Sequence, residues 1–316
     1  MSAPDPAPLT FRVPPPATLP APGPAPDRVP GRSPVPVPQS HAPQGHVPQS
    51  TARQSPPPQG SPAQGSPPSV AGRPGRRSMR ARAAIVTARD TGGRTVLATM
   101  RSSPPLTVRT TAPGRVHLVS TAAGPLGGDD LALDIEVAPG TALEVRSVAS
   151  TLVLPGSTDA ESVMTVTARV GAGARLLFAP EPTVLAAGCR HRLVVRLELA
   201  EDARVHWREE IVFGRYGERP GRCHSRFDAV LGGVPLLRQE FVVGDPEIDG
   251  SSAVYGDARC VGSTLITGRA PEAVTGDGWA VLPLAGPGTL VSALGRDAVE
   301  LRRRLEEGEG TVTGHH

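Results

Sequence analysis

The sequence predicts a mainly β fold: layered, solenoid-like (β-helical) sheets with a few short helices, a C-terminal helix and a disordered N-terminal tail. Three observations carry this prediction. Beyond residue 78, short runs alternate apolar and polar residues, the period of a half-buried strand. Gly, Pro and Asp separate nearly all of these runs. Three stretches also share one local pattern: 135–145 (IEVAPGTALEV), 168–178 (ARVGAGARLLF) and 197–207 (LELAEDARVHW), so the copies lie 33 and then 29 residues apart. Self-similarity at such a period suggests stacked layers, each burying its face on the next. A plain β-sandwich is the alternative.

The N-terminal segment comes first. Residues 1–78 hold 23 of the 37 prolines, no Glu and almost no large apolar side chains. Such a stretch cannot bury enough apolar surface to offset its ordering entropy, so a disordered, partly polyproline-like tail is expected. Pro14-Pro15-Pro16 and Pro56-Pro57-Pro58 read as solvated, with docking into an aromatic groove as the alternative. The second region, 79–316, is expected to be one β domain.

Charge divides at the same place. Residues 1–78 carry seven Arg and two Asp, whereas the remainder carries 26 basic and 28 acidic groups. The basic balance therefore belongs to the tail, which argues against a nucleic-acid-binding domain. Arg73, Arg76, Arg77, Arg80 and Arg82 cluster at the boundary and read as a solvated linker, with a weak electrostatic contact as the alternative. The chain has no lysine, which excludes Schiff-base and phosphate-loop lysine chemistry. No secretory signal and no apolar run long enough for a membrane span are seen. Cys189, Cys223 and Cys260 are odd in number and widely spaced, which suggests a reducing compartment. A cytoplasmic protein is expected.

Within the β domain, runs at 83–88 and 94–100 flank Asp90-Thr91-Gly92-Gly93, a good hairpin turn. Runs at 106–109 and 116–120 follow. Residues 121–155 open with the turn Gly127-Gly128-Asp129-Asp130 and continue as a strand with Leu131, Leu133, Ile135 and Val137 on one face. Pro139-Gly140 then turns the chain into a run that starts with Leu143 and Val145. The pair is expected to be a hairpin and the first of the three layers. Further strands are expected at 162–170, 175–178, 192–199, 204–213, 225–230, 236–243, 258–267, 279–284 and 289–292. From Gly295, Ala298, Leu301 and Leu305 recur at helical spacing, with Glu300 four residues before Arg304. An amphipathic helix of about three turns is expected, with capping of the core as its default role and a partner contact as the alternative.

The sequence lacks a nucleophile elbow, a zinc-protease signature, a C-x-x-C pair and a phosphate loop. Gly127-Gly128 precedes a strand, so no helix N-terminus is available there to hold an anion. Asp129 reads as a turn residue that bonds nearby backbone N–H groups; a carboxylate facing a polar channel or a metal is the alternative. Pro180 and Pro182 hold Glu181 in an extended segment, which either aims the acid or leaves it in an exposed loop. Cys189 and His191 share one face of a strand. They form either a soft site for nickel, copper or zinc, or a buried cysteine beside a surface histidine. Cys223-His224 is a weaker pair, because adjacent strand residues face opposite ways. Trp207-Arg208-Glu209-Glu210 and Gly214-Arg215-Tyr216-Gly217-Glu218 read as an ion-pair network on a sheet. The alternative is a partner surface anchored on Trp207, Arg215 and Tyr216.

An ordered series of landmarks resembles the urease accessory proteins called UreD or UreH. They are Arg-Ser-Ser-Pro-Pro-Leu at 101–106, Thr-Ala-Ala-Gly-Pro-Leu-Gly-Gly-Asp at 121–129 and Pro-Glu-Pro-Thr at 180–183. Arg-Glu-Glu at 208–210 leads into Phe-Gly-Arg at 213–215, and a terminal helix closes the series. The resemblance implies a non-enzymatic maturation factor with a solenoid-like β fold and no permanently bound cofactor. It implies binding to the urease apoprotein and to UreF, with UreG docking through UreF, and passage of Ni²⁺ through an internal channel. On this reading Asp129, Glu181 and Glu209 line the nickel path, and Trp207, Arg215, Tyr216, Leu301 and Leu305 are partner-facing. A β-solenoid carbohydrate-binding module or lyase is the alternative, against which stands the scarcity of aromatics: nine in all, two of them Trp. An end-to-end stacking structural protein is the third reading.

Overall fold

The computed structural model describes residues 78–314. The expected tail, its proline runs and Arg73, Arg76 and Arg77 lie outside the described residues. The chain opens with two antiparallel hairpins. β1 (Arg80–Arg89) and β2 (Thr95–Arg101) turn at Asp90–Gly93, where Asp90 Oδ1 accepts the N–H groups of Gly92 and Arg94. β3 (Leu106–Ala112) and β4 (Arg115–Ser120) form the second.

The three repeat copies come next. β5 (Asp130–Val137) leads to β6 (Ala142–Ser147), β8 (Ser162–Val170) to β9 (Arg175–Phe178), and β11 (Arg190–Leu199) to β12 (Arg204–Val212). Short β7 (Thr151–Val153) and β10 (Thr183–Leu185) fall between them and pair with one another. β13 (Arg222–Leu231) and β14 (Val234–Val243) form a third hairpin, followed by the one-turn α1 (Pro246–Asp249). β15 (Cys260–Thr267), β16 (Val274–Gly276), β17 (Trp279–Pro283) and β18 (Gly288–Gly295) complete the strands, and α2 (Ala298–Thr313) closes the chain.

The layers are arches, and this corrects the hairpin expected at residues 130–147. β5 and β6 do not pair with each other. β5 lies in a seven-stranded sheet ordered β14-β13-β11-β8-β5-β1-β2, and β6 lies in an eleven-stranded sheet containing β16-β17-β18-β15-β12-β9-β6-β4-β3. Each arm of an arch has one apolar face. The four-residue turn sets those faces against each other across the core, and the backbone groups bond to the next layer instead. The repeat spacing becomes the parallel register: Ile135 sits beside Ala168, and Ala168 beside Leu197. In the facing sheet, Val116, Val145, Phe178, Trp207 and Leu265 form the matching row. All of these side chains are buried and belong to one core cluster. Burial of a large apolar side chain is worth roughly 1.5–3 kcal/mol, so the rows are the main source of cohesion.

Both sheets end in antiparallel pairs. β1–β2 and β13–β14 flank the parallel strands of the first sheet, and β3–β4 and the β15-β18-β17-β16 run flank those of the second.

Helix α2 is longer than expected, because the sequence reading stopped it at the glycines. It has 16 residues and continues through Gly308 and Gly310 to a left-handed Gly314 at φ 74°. Asp297 caps its start, accepting N–H bonds from Val299 and Glu300 at 2.9 and 2.8 Å, as an N-cap acid does. Leu301, Leu305 and Val312 are buried against β15, β17 and β18. Gly308 allows the close approach: a Cβ there would lie 2.5 Å from Val291 Cγ1. The helix therefore takes the capping role. Among the described residues, no helix is long and apolar enough to cross a membrane.

Candidate functional site: a carboxylate-lined cavity between the sheets

Strand β12 builds the site. Its period-two alternation sends Val205, Trp207, Glu209 and Ile211 to the inter-sheet face and Arg208 and Glu210 to the face beneath α2. Glu209 is thus an acid on an apolar face, between a tryptophan and an isoleucine. It lines a cavity of about 190 Å³ between the sheets, shared with Leu133, Met164, Phe178, Glu181, His191 and Glu210. Burial pushes the Glu209 carboxyl up to about 7. The Trp207 indole N–H offsets this only in part and has no partner in hydrogen-bonding geometry.

The opposite wall comes from the first sheet. Register places Ser162, His191 and Cys223 side by side on β8, β11 and β13. Ser162 Oγ lies 2.9 Å from His191 Nδ1. Burial is the main cause that lowers the His191 imidazole to about 4, so this ring is neutral at ordinary pH. Cys189 is buried in a neighbouring cluster with Cys223, and burial raises its thiol to about 11. It is therefore protonated at ordinary pH. Among the described residues, no group of three or more His, Cys, Asp or Glu is close enough to hold a metal ion.

The mouth is formed by Gly124-Pro125, Ser147–Ser150 and Pro180-Glu181. The Glu181 N–H donates to Ser147 Oγ at 2.8 Å, which fixes the proline-flanked segment over the opening. The Glu181 carboxylate meets Arg302 Nη1 of α2 at 3.2 Å to each oxygen. The same guanidinium reaches Glu210 Oε1 from Nε at 3.1 Å and Nη2 at 2.9 Å. Glu210 is 4% exposed, and its Oε2 has no partner. Burial raises its pKa, against the lowering charge of Arg302 and Arg208.

Asp129 stands behind the rim and is not a wall residue. It is buried, with Oδ1 accepting the Met79 N–H and Oδ2 the Leu126 N–H, both at 2.9 Å. Its two bonds tie the start of β1 to the glycine turn. Beside it, Gly127 and Gly156 touch backbone to backbone: a Cβ on Gly127 would lie 2.8 Å from Gly156 N.

Of the expected nickel-path residues, Glu181 and Glu209 share the cavity, whereas Asp129 lies outside its wall. Of the expected partner anchors, Trp207 is 1% exposed and Leu301 and Leu305 are 0% exposed. Trp207 stacks on Phe178, and Leu301 and Leu305 pack from α2 onto the strands beneath it, so these three are out of reach of a partner, which corrects that part of the reading. Tyr216 is fully exposed, and Arg215 is exposed and paired with Glu218. The sequence reading missed Glu210 and Arg302 as site residues. Strand alternation carried a signal for Glu210, since it separates neighbouring acids onto opposite faces. No local signal marks Arg302, because its contacts span about a hundred residues of chain.

A family model described as UreD urease accessory protein matches residues 79–313. A relative from Frankia casuarinae, named urease accessory protein UreD, is 43% identical over 296 residues, covering 77% of this chain and 92% of the relative. A protein of that name from Parafrankia sp. is 44% identical over 272 residues, covering 76% and 91%. Urease accessory protein UreD 1 of Saccharopolyspora erythraea is 38% identical over 248 residues, covering 75% and 96%.

Proposed function

The chain belongs to the UreD family of urease accessory proteins, and from this premise we propose that it serves urease maturation as a Ni²⁺ relay and scaffold, not as a catalyst. On this reading it binds the urease apoprotein and UreF, with UreG joining through UreF, in the cytoplasm. Three free, buried cysteines are consistent with a reducing compartment.

The observation that carries the relay is Glu209 on the inner face of β12, in a cavity whose mouth holds Glu181. An isolated acid costs stability in a core, so its placement there calls for a role. Carboxylates in an accessible cavity hold a divalent cation loosely enough to release it, whereas a closed thiolate set retains it. Glu209 is the inner ligand on the path and Glu181 the outer one. The exposed Arg215–Tyr216 loop supplies the partner contact, because Trp, Tyr and Arg are favoured anchors.

The test is co-expression of the urease subunits and remaining accessory proteins with the full chain, followed by nickel content and urease activity. Glu209→Gln is expected to lower both while leaving the chain folded and co-purifying. Undiminished nickel loading in the Glu181→Gln, Glu209→Gln double variant would overturn the relay. Tyr216→Ala with Arg215→Ala is expected to weaken co-purification of the accessory proteins, and unchanged recovery rejects that loop as the contact.

A further inference from the structure

Helix α2 carries three consecutive arginines that go three ways. Arg303 pairs along the helix with Glu307. Arg304 binds the Leu294 carbonyl, Asp277 and Glu300. Arg302 alone of the three reaches the cavity wall, where one guanidinium spans Glu181 and Glu210.

We propose that Arg302 is the internal counter-ion of the cavity: it occupies the carboxylates that a divalent cation would use, and a cation enters by displacing it. The geometry has three parts. First, the Arg302 side chain is 31% accessible and Glu181 is 40% accessible, whereas the Glu210 side chain is 0% accessible. The outer pair can therefore open to solvent while Glu210 cannot rehydrate. Second, Glu210 Oε2 is buried and unpartnered, so the single guanidinium leaves half of this carboxylate unsatisfied. A buried acid in that condition gains from a second positive neighbour. Third, Arg208 lies 4.0 Å from Glu210 and is already held by Glu309. Arg302 is thus the main cation of Glu210.

The consequence is competition. With Arg302 seated, a Ni²⁺ ion meets neutralised carboxylates at the mouth. With Arg302 withdrawn, Glu181 and Glu210 present net negative charge. Because α2 carries Arg302, anything that shifts the exposed side of this helix, where Val299 is 80% exposed, changes cation affinity inside. Arg302 acts here as a positioning residue and does not itself ligate the metal.

This inference rests on the nickel-relay reading, and one set of measurements separates the two. Ni²⁺ affinity of the purified full chain is measured by titration calorimetry at one fixed pH for wild type, Arg302→Gln and Arg302→Lys. Circular dichroism confirms that each variant is folded. Arg302→Gln is expected to bind Ni²⁺ at least about tenfold more tightly, the effect of about one pKa unit of charge coupling. Arg302→Lys, which keeps the charge, is expected to stay within about threefold of wild type. An Arg302→Gln chain that is folded and binds Ni²⁺ no more tightly overturns the counter-ion role. Adding Glu181→Gln to Arg302→Gln is expected to reverse the gain, and a persisting gain places the ion elsewhere and also overturns it. Nickel loading of urease by Glu209→Gln reports on the relay separately. Full loading by that variant together with a tighter Arg302→Gln rejects the relay and keeps the counter-ion.

Discussion

Phe178 and Trp207 stack face to face, with ring centroids 3.9 Å apart and planes 12° from parallel. They are register partners on β9 and β12, so the stack joins two successive arches, and Phe227 of the facing sheet meets the indole edge at 6.1 Å. The large aromatic that looks like a surface anchor in the sequence is the centre of the core. Trp207→Ala is expected to cost roughly 3–5 kcal/mol, seen as a lower urea midpoint.

Half-buried Glu209 and buried His191, on opposite walls of the cavity, have opposite pH dependence. Glu209 has a folded value of about 7 against an ordinary 4.5. The folded state holds its proton longer than the unfolded chain, so this group favours folding below pH 4.5 and loses that contribution as pH rises to 7. His191 has a folded value of about 4 against 6.5. The unfolded chain takes up its proton first, so that contribution is present above pH 6.5 and is lost as pH falls to 4. The two slopes oppose each other between 4.5 and 6.5. Glu209→Gln is expected to leave a stability that rises with pH across that window, and His191→Gln one that falls. Urea midpoints at pH 4.5, 5.5, 6.5 and 7.5 check both signs.

Asp129→Ala removes the acceptor of two backbone N–H groups and is expected to destabilise the chain by about 1–3 kcal/mol. Asp129→Asn keeps one carbonyl acceptor and should lose less. Nickel loading should follow stability in this pair: at a temperature where both variants are fully folded, both are expected to load urease normally. A folded Asp129→Asn chain that fails to load nickel would return this residue to the metal path.

Gly308→Ala gains helix propensity of about 1 kcal/mol but places a methyl group 2.5 Å from Val291 Cγ1 and 3.3 Å from Trp279 Cε3. Overpacking is expected to win, with a net loss of about 1–2 kcal/mol. Thermal unfolding decides between the two effects.

Glu309 receives Arg208 through both oxygens and the Thr264 hydroxyl at 2.6 Å. Glu309→Ala leaves a mostly buried guanidinium short of its main partner and is expected to cost about 3 kcal/mol or more. Equilibrium denaturation of Glu309→Ala and of the Arg208→Met, Glu309→Ala double variant checks it: the double variant should recover part of the loss.

Much of the layering was legible because a repeat in a stacked fold is written twice, once as spacing and once as register. Ile135, Ala168 and Leu197 begin the three copies and end as neighbours. Whether the arms of each copy pair or face one another was not legible, because Pro139-Gly140 serves a hairpin and an arch equally well, and only the competing layers decide. Glu209 was legible as a path residue only through the family resemblance, because its run of charges reads equally as an ion-pair network on a sheet. Arg302 was not legible, because helical periodicity treats it as one of three solvated arginines. Asp129 was legible as a turn acid that bonds a nearby N–H, as it does with Leu126, but its second bond could not be read without knowing that Met79 returns to it.

The antiparallel strands that flank the parallel ones bound the stack of arches among the described residues. An arch stack is by nature an open template, since the last parallel strand offers the next copy the same edge as the one before. Here β2 and β14 run against that direction at the two edges of the first sheet, and in the other sheet β3 does so at one edge while β15 turns against β12 at the other end of the parallel series. The last parallel strand on each side is therefore covered by an antiparallel neighbour and offers no free parallel edge to a further arch.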